Sequence, residues 1–240
     1  MIRPCAFALM LGLCSGVAAA ADAPYRPAFH PDQYKGPPAG LVNEVLVLGS
    51  PHLSGLPDTF TPQQLEPLLE RLQAWKPTAI SVENVSGLQC DFMRRYPSRY
   101  ADSTEDYCVD TSPAEAATGM DVLTANVEME RLLAAWPDQP TPSQRRRLAA
   151  VCLAAGEHGS ALVQWMRLPA AERRAADSLT PELVQFLETR RVRKNEVALV
   201  AAELAARLGL ERLWSVDDHT ADAATPKAQQ KASMAAIRKA

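Results

Sequence analysis

The sequence predicts an α/β fold: a single domain with a parallel or mixed β-sheet, a βαβ start and a large helical insertion. Three observations predict it. Two runs of apolar and branched residues, "NEVLVLG" and "TAISVE", flank an amphipathic helical stretch; an Ala- and Leu-rich region with helix start and stop signals follows; a further strand-like run, "ERLWSVDDH", comes after that. Runs that are apolar on successive residues suit parallel strands covered on both faces.

Compartment and length limit the reading before any motif does. The chain has 240 residues and a formal charge of -3. That is long enough for one domain with its own core, and too nearly neutral to point to nucleic acid. Residues 1–21, "MIRPCAFALMLGLCSGVAAAA", combine Arg3, an apolar stretch too short to span a membrane and small residues offering A-x-A cleavage near Ala21 or Ala23. They are expected to be a signal peptide, which implies a periplasmic or secreted protein with no membrane attachment after cleavage. A lipid anchor at Cys14 competes poorly, because Leu13 stands where a small residue is required. Residues 22–42, with Pro24, Pro27, Pro31, Pro37 and Pro38, read as an extended lead-in. The domain is expected over 43–220, with its helical insertion at 110–210 and a polar, Ala-rich tail at 221–240.

A first strand is expected at 44–49, followed by the loop "SPHLSGLPDTF". The helix at 62–75 has the clearest signals: Thr61 as N-cap, Pro62 at the first helical position and Gln64 to close a capping box. Its stripe of Leu65, Leu68, Leu69, Leu72 and Trp75 would lie on the sheet. A second strand is expected at 78–83 and a third at 212–217, all three parallel and adjacent. Within the insertion, Thr180 and Pro181 start one helix and Gly209 ends another. The tail "TPKAQQKASMAAIRKA" can form one more helix.

After removal of Cys5 and Cys14 with the signal peptide, Cys90, Cys108 and Cys152 remain. Cys90 and Cys108 bracket a polar, aromatic segment of little periodicity, which a disulfide would staple. Cys152 falls on the apolar face of a helix and reads as a buried thiol.

Parallel strands deliver their carboxyl ends to one edge, where open α/β sheets place their ligands. His52 follows the end of the first expected strand, Glu83 ends the second, and Asp217, Asp218 and His219 end the third. Each has a plainer role available: His52 bonding loop backbone, Glu83 pairing with a surface arginine, the two aspartates making an Asx turn. The cations Arg190, Arg191, Arg193 and Lys194 are a solvated helix end or an anion site, with Arg193 kept as a substrate-binding candidate. His158, in "GEHG", reads as a surface residue.

With these residues in place, "EVLVLGSPHLSG", "LEPLLERLQAWKPTAISVE" and "NEVALVAAELAARLGLERLWSVDD" resemble an exported bacterial family related to the TraB/GumN/Tiki and erythromycin-esterase/ChaN-like superfamily. In that superfamily a GxxH motif ends the first strand and a glutamate ends the second, matching Gly49 to His52 and Glu83. The resemblance implies a hydrolytic site for a small-molecule or peptide substrate. It would either hold a divalent ion such as zinc or manganese through His52, Glu83 and His219, or work without metal through His52, Glu83 and Asp217. A second GxxH, expected near the carboxyl end, is not present before Ala240. Either His219 substitutes or the site is incomplete, and a non-catalytic ligand-binding member is the alternative.

Overall fold

The computed structural model describes residues 43–222 and 227–238. The expected signal peptide and lead-in, residues 1–42, lie outside the described residues. The chain divides into two compact units, 1–48 and 49–240. Of the first unit, residues 43–48 are described; they have no regular structure, and Val45 and Val47 are 83% and 88% exposed. The expected strand at 44–49 is not formed, and with it goes the βαβ start. An apolar run carries a preference for extension, but a strand exists only where a neighbour takes up its N–H and C=O groups, and that pairing is a tertiary property.

In the second unit, a 3-10 turn at Leu53–Gly55 and another at Pro62–Leu65 lead into α1 (Glu66–Trp75). The Gln64 side chain accepts from the Thr61 N–H at 2.8 Å, so the start signal acts where the sequence places it. Leu69 and Leu72 are buried, whereas Trp75 is exposed. The helix ends at Lys76, whose φ of 56° reverses the chain.

β1 (Ser81–Val85) begins later than expected and pairs in parallel with β2 (Trp214–Asp217). Ser81 faces Trp214, Val82 faces Ser215, and an irregularity lets Val85 face Asp217. Thus the parallel pair is built from segments more than a hundred residues apart in sequence, with a two-stranded sheet among the described residues. Val82 and Val85 point into the core, and Glu83, between them, is exposed in mid-strand rather than at the strand end.

Helices fill the interval between the strands: α2 (Gly87–Arg94), α3 (Pro97–Tyr107), α4 (Ser112–Thr118), α5 (Val122–Ala134), α6 (Pro142–Ala154), α7 (His158–Met166) and α8 (Pro181–Arg191). A π-helical stretch, Val197–Ala202, runs on into α9 (Glu203–Leu208). Beyond β2, α10 covers Lys227–Ile237. The segment between Cys90 and Cys108, expected to be irregular, is helical in α2 and α3, with Tyr100 out of helical geometry at φ -117° and ψ 17°. That kink explains its weak periodicity. Cys90 and Cys108 are joined by a disulfide, with their Cα atoms 5.6 Å apart. Cys152 is a buried free thiol, and burial raises its pKa.

α6 is the centre of the helical layer. Every residue from Leu148 to Ala154 is buried, against α4, α5 and α7, as befits a helix apolar all round. Its first turns also bury two arginines, each with its own carboxylates. Arg145 donates to Gln164 at 2.8 Å and Glu211 at 2.9 Å, and Arg146 donates to Glu172 and Asp177, both at 2.7 Å. A second apolar cluster, with Leu72, Val82, Leu199, Ala202 and Leu213, joins α1, the π-helical stretch and the sheet.

Candidate functional site

His52 lies in the loop ahead of the Leu53–Gly55 turn, and Leu53, 6% exposed, anchors that loop in the core. The loop's other anchor is Glu196, at the head of the π-helical stretch. Its Oε1 accepts from the Leu53 N–H at 2.8 Å and from the Ser50 hydroxyl at 3.3 Å, and stands 3.8 Å from His52 Nδ1. Asn195, beside it, accepts the Ala198 N–H at 2.9 Å and fixes the start of the helix. One carboxylate therefore holds the loop and faces one nitrogen of an imidazole that is otherwise 83% exposed.

The residue following Glu196 ties this loop to the sheet. A Cβ placed on Gly159 would stand 3.5 Å from Val197 and 3.3 Å from the Asn84 amide nitrogen. Asn84 lies towards the carboxyl end of β1, and its Nδ2 is buried with no partner among the described residues. Beside it, Glu157 is 5% exposed. Its Oε1 accepts the Gly87 N–H at 3.1 Å and its Oε2 the Ser215 hydroxyl at 2.9 Å. Burial raises its pKa, with the two hydrogen bonds working in the opposite direction. Glu157 pins α2 and β2 to the start of α7.

Among the described residues His52 has no hydrogen bond or ion pair to Glu83, Asp217 or His219. Glu83 has no hydrogen bond or ion pair among the described residues. Asp217 and His219 do meet, in a closed arrangement: Nε2 of His219 lies 3.0 Å from Asp217 and Nδ1 lies 2.9 Å from Asp222, which also accepts from Ser103 at 2.8 Å. Tyr107 stacks on the ring at a centroid distance of 3.8 Å. Burial disfavours the charged ring, but the hydrogen bonds to Asp222 and Asp217 prevail and raise its pKa. With both nitrogens engaged, His219 has no lone pair to offer a metal. Among the described residues no three His, Cys, Asp or Glu side chains converge as ligands. The expected set of His52, Glu83 and His219 is thus not assembled for zinc or manganese.

Arg193 follows α8, and the turn that contains it runs on to Glu196. His158, expected at the surface, is half-buried at the first position of α7. Its pKa is pushed down to about 3, by burial first and then by the charges of Arg190 and Arg193. Sequence reasoning missed Glu196 and His158. Nothing local marks Glu196, which meets its partners across 143 residues of chain; the glycines flanking the "EH" of "GEHG" were the available signal for His158.

An open groove of about 730 Å³, lined by Glu70, Lys76, Thr78, Arg207 and Leu210 among others, lies at the amino ends of the two strands, away from all these groups. No family model, curated protein or solved structure matches the chain.

Proposed function

We propose that the protein is an exported hydrolase of the TraB/Tiki and erythromycin-esterase kind, cleaving a peptide or ester bond with His52 as general base. The observation that carries this reading is the Glu196 carboxylate, which faces His52 Nδ1 at 3.8 Å while holding the loop through Leu53 and Ser50. A carboxylate at this distance stabilises the imidazolium formed when the ring takes a proton from water. Glu196 then has the orienting role that the sequence suggested for Glu83.

The test is a broad esterase and peptidase screen of the purified protein, with and without chelator. His52→Ala is expected to lower the rate about 100-fold or more, and Glu196→Gln about tenfold or more, the range of a general base and its orienting partner. The melting temperature of His52→Ala should match that of the wild type, because the side chain is exposed. An unchanged rate in His52→Ala, or loss of activity in Glu83→Gln but not in Glu196→Gln, overturns the assignment. The alternative, a ligand-binding protein without catalysis, draws support from His219, whose two ring nitrogens are both engaged by aspartates.

A further inference from the structure

Most arginines packed against this fold meet a carboxylate: Arg145 and Arg167 share Glu211, Arg146 meets Glu172 and Asp177, and Arg207 meets Glu66. Arg190 and Arg193 do not. Neither has an ion pair or side-chain hydrogen bond among the described residues, although Arg190 is half-buried. Glu188, the acid nearest Arg190 in sequence, is already used: its Oε1 accepts the Trp165 indole N–H at 2.8 Å and its Oε2 accepts from Arg191 at 2.9 Å. A guanidinium taken partly out of water without a counter-charge is costly, and a second cation beside it adds to that cost. Desolvation and the Arg193 charge both act to lower the Arg190 pKa.

The Arg190 guanidinium is held on its own helix, and the Arg193 backbone is turned back onto it. Arg190 lies over the Phe186 ring, 4.9 Å from its centroid, and the Arg193 N–H donates to the Arg190 carbonyl at 3.1 Å, closing a turn between them. A guanidinium presents several N–H donors to a planar or tetrahedral oxyanion. The same turn continues to Glu196, three residues beyond Arg193. Arg193 and Glu196 are three residues apart, so their Cα atoms lie within roughly 11 Å of each other.

We propose that Arg190 and Arg193 form an oxyanion subsite that holds a carboxylate or phosphate group of the substrate. Binding of the anion stands on the cation cluster alone; its belonging to the substrate rests on the hydrolase reading above. The ligand neutralises two cations that have no carboxylate partner among the described residues.

The experiment is calorimetric titration of the full chain with inorganic phosphate and, separately, with succinate. Saturable binding of at least one, at one site per chain, is expected, and the preferred probe separates a phosphate from a carboxylate. Arg193→Gln, an exposed position that leaves the fold intact, should weaken binding about tenfold, as expected for loss of one charge-assisted contact. Arg190→Gln should weaken it more, with partial rescue in Arg190→Lys, each melt being checked for cooperativity. His52→Ala should bind the anion as the wild type does. Affinity unchanged in both arginine variants, or no binding tighter than about 10 mM for either anion, overturns the subsite. Anion binding lost in Arg193→Gln, together with unchanged hydrolysis in His52→Ala, overturns the hydrolase and leaves the anion site standing.

Discussion

Glu157 is a carboxyl group placed where ionisation is unwelcome, yet both its oxygens are hydrogen-bonded, by the Gly87 N–H and the Ser215 hydroxyl. Removing it strands two donors in the interior. Glu157→Ala should therefore cost about 2–3 kcal/mol in urea denaturation, the usual penalty for buried groups left unpaired. Glu157→Gln keeps an oxygen for Gly87 and offers an N–H to Ser215, so it should fold. Because the folded pKa is raised, the stability linked to protonated Glu157 is complete below the unfolded carboxyl pKa and is lost as pH rises through the folded value. The Gln variant should thus gain on the wild type as pH increases; a widening deficit at alkaline pH would contradict this. The pinning role was not legible in the sequence, where "GEHG" shows only a charged pair between glycines. His52 stood out because a proline and a glycine set it apart from a strand-like run, but its partner at position 196 leaves no trace in local pattern.

At the scale of elements, signals that act within one turn were the readable ones. Thr61 with Pro62 and Gln64, and Thr180 with Pro181, mark helix starts that the structure contains. Thr180 accepts the Leu183 N–H at 3.3 Å. Strands were readable only where a partner exists: "TAISVE" and "ERLWSVDDH" supply β1 and β2, whereas "VLVLG" does not become a strand. Helices α2 and α3 escaped notice because Tyr100 interrupts the period and because part of their cohesion is covalent. Cys90, Met93 and Tyr100 form a small cluster with Val85. The disulfide closes a loop with a sequence separation of 18. In the chain-entropy account a loop of this size contributes about 3 kcal/mol. Guanidinium unfolding with and without reductant should show a difference near that figure, with the midpoint lower after reduction. Equal midpoints would mean that α2 and α3 are held by packing alone. Gly87 adds a second constraint: a Cβ there would stand 1.8 Å from the Ala155 carbonyl oxygen, so α2 starts where only glycine lets it meet the α6–α7 turn.

For the whole molecule, three groups oppose one another in setting the pH of greatest stability. His158 has its folded pKa depressed to about 3, chiefly by burial. The unfolded chain therefore takes up a proton below about pH 6.5 that the folded chain refuses, and stability falls as pH drops through that region. His219 has its folded pKa raised by Asp222 and Asp217 against the effect of burial. Its contribution is complete below about pH 6.5 and is lost as pH climbs through the folded value, when the ring gives up one of its two donated hydrogen bonds. Glu157 acts in the same direction as His219. Opposed slopes of this kind give a dome with its top near neutrality, and carboxylates whose folded pKa is lowered, such as Glu128, Asp177, Glu211 and Asp222, add to the acid limb. Melting temperatures measured from pH 4.5 to 9 should fall on both sides for the wild type. His158→Gln should flatten the acid limb and leave the other unchanged. His219→Gln should lower the melting temperature below pH 6.5, where the ring is charged and bridging two aspartates, and flatten the limb above it. If His219→Gln instead leaves the whole profile unaltered, the bridge from β2 to Asp222 and Ser103 contributes nothing to folding, and the high pKa of His219 does not stabilise the native state.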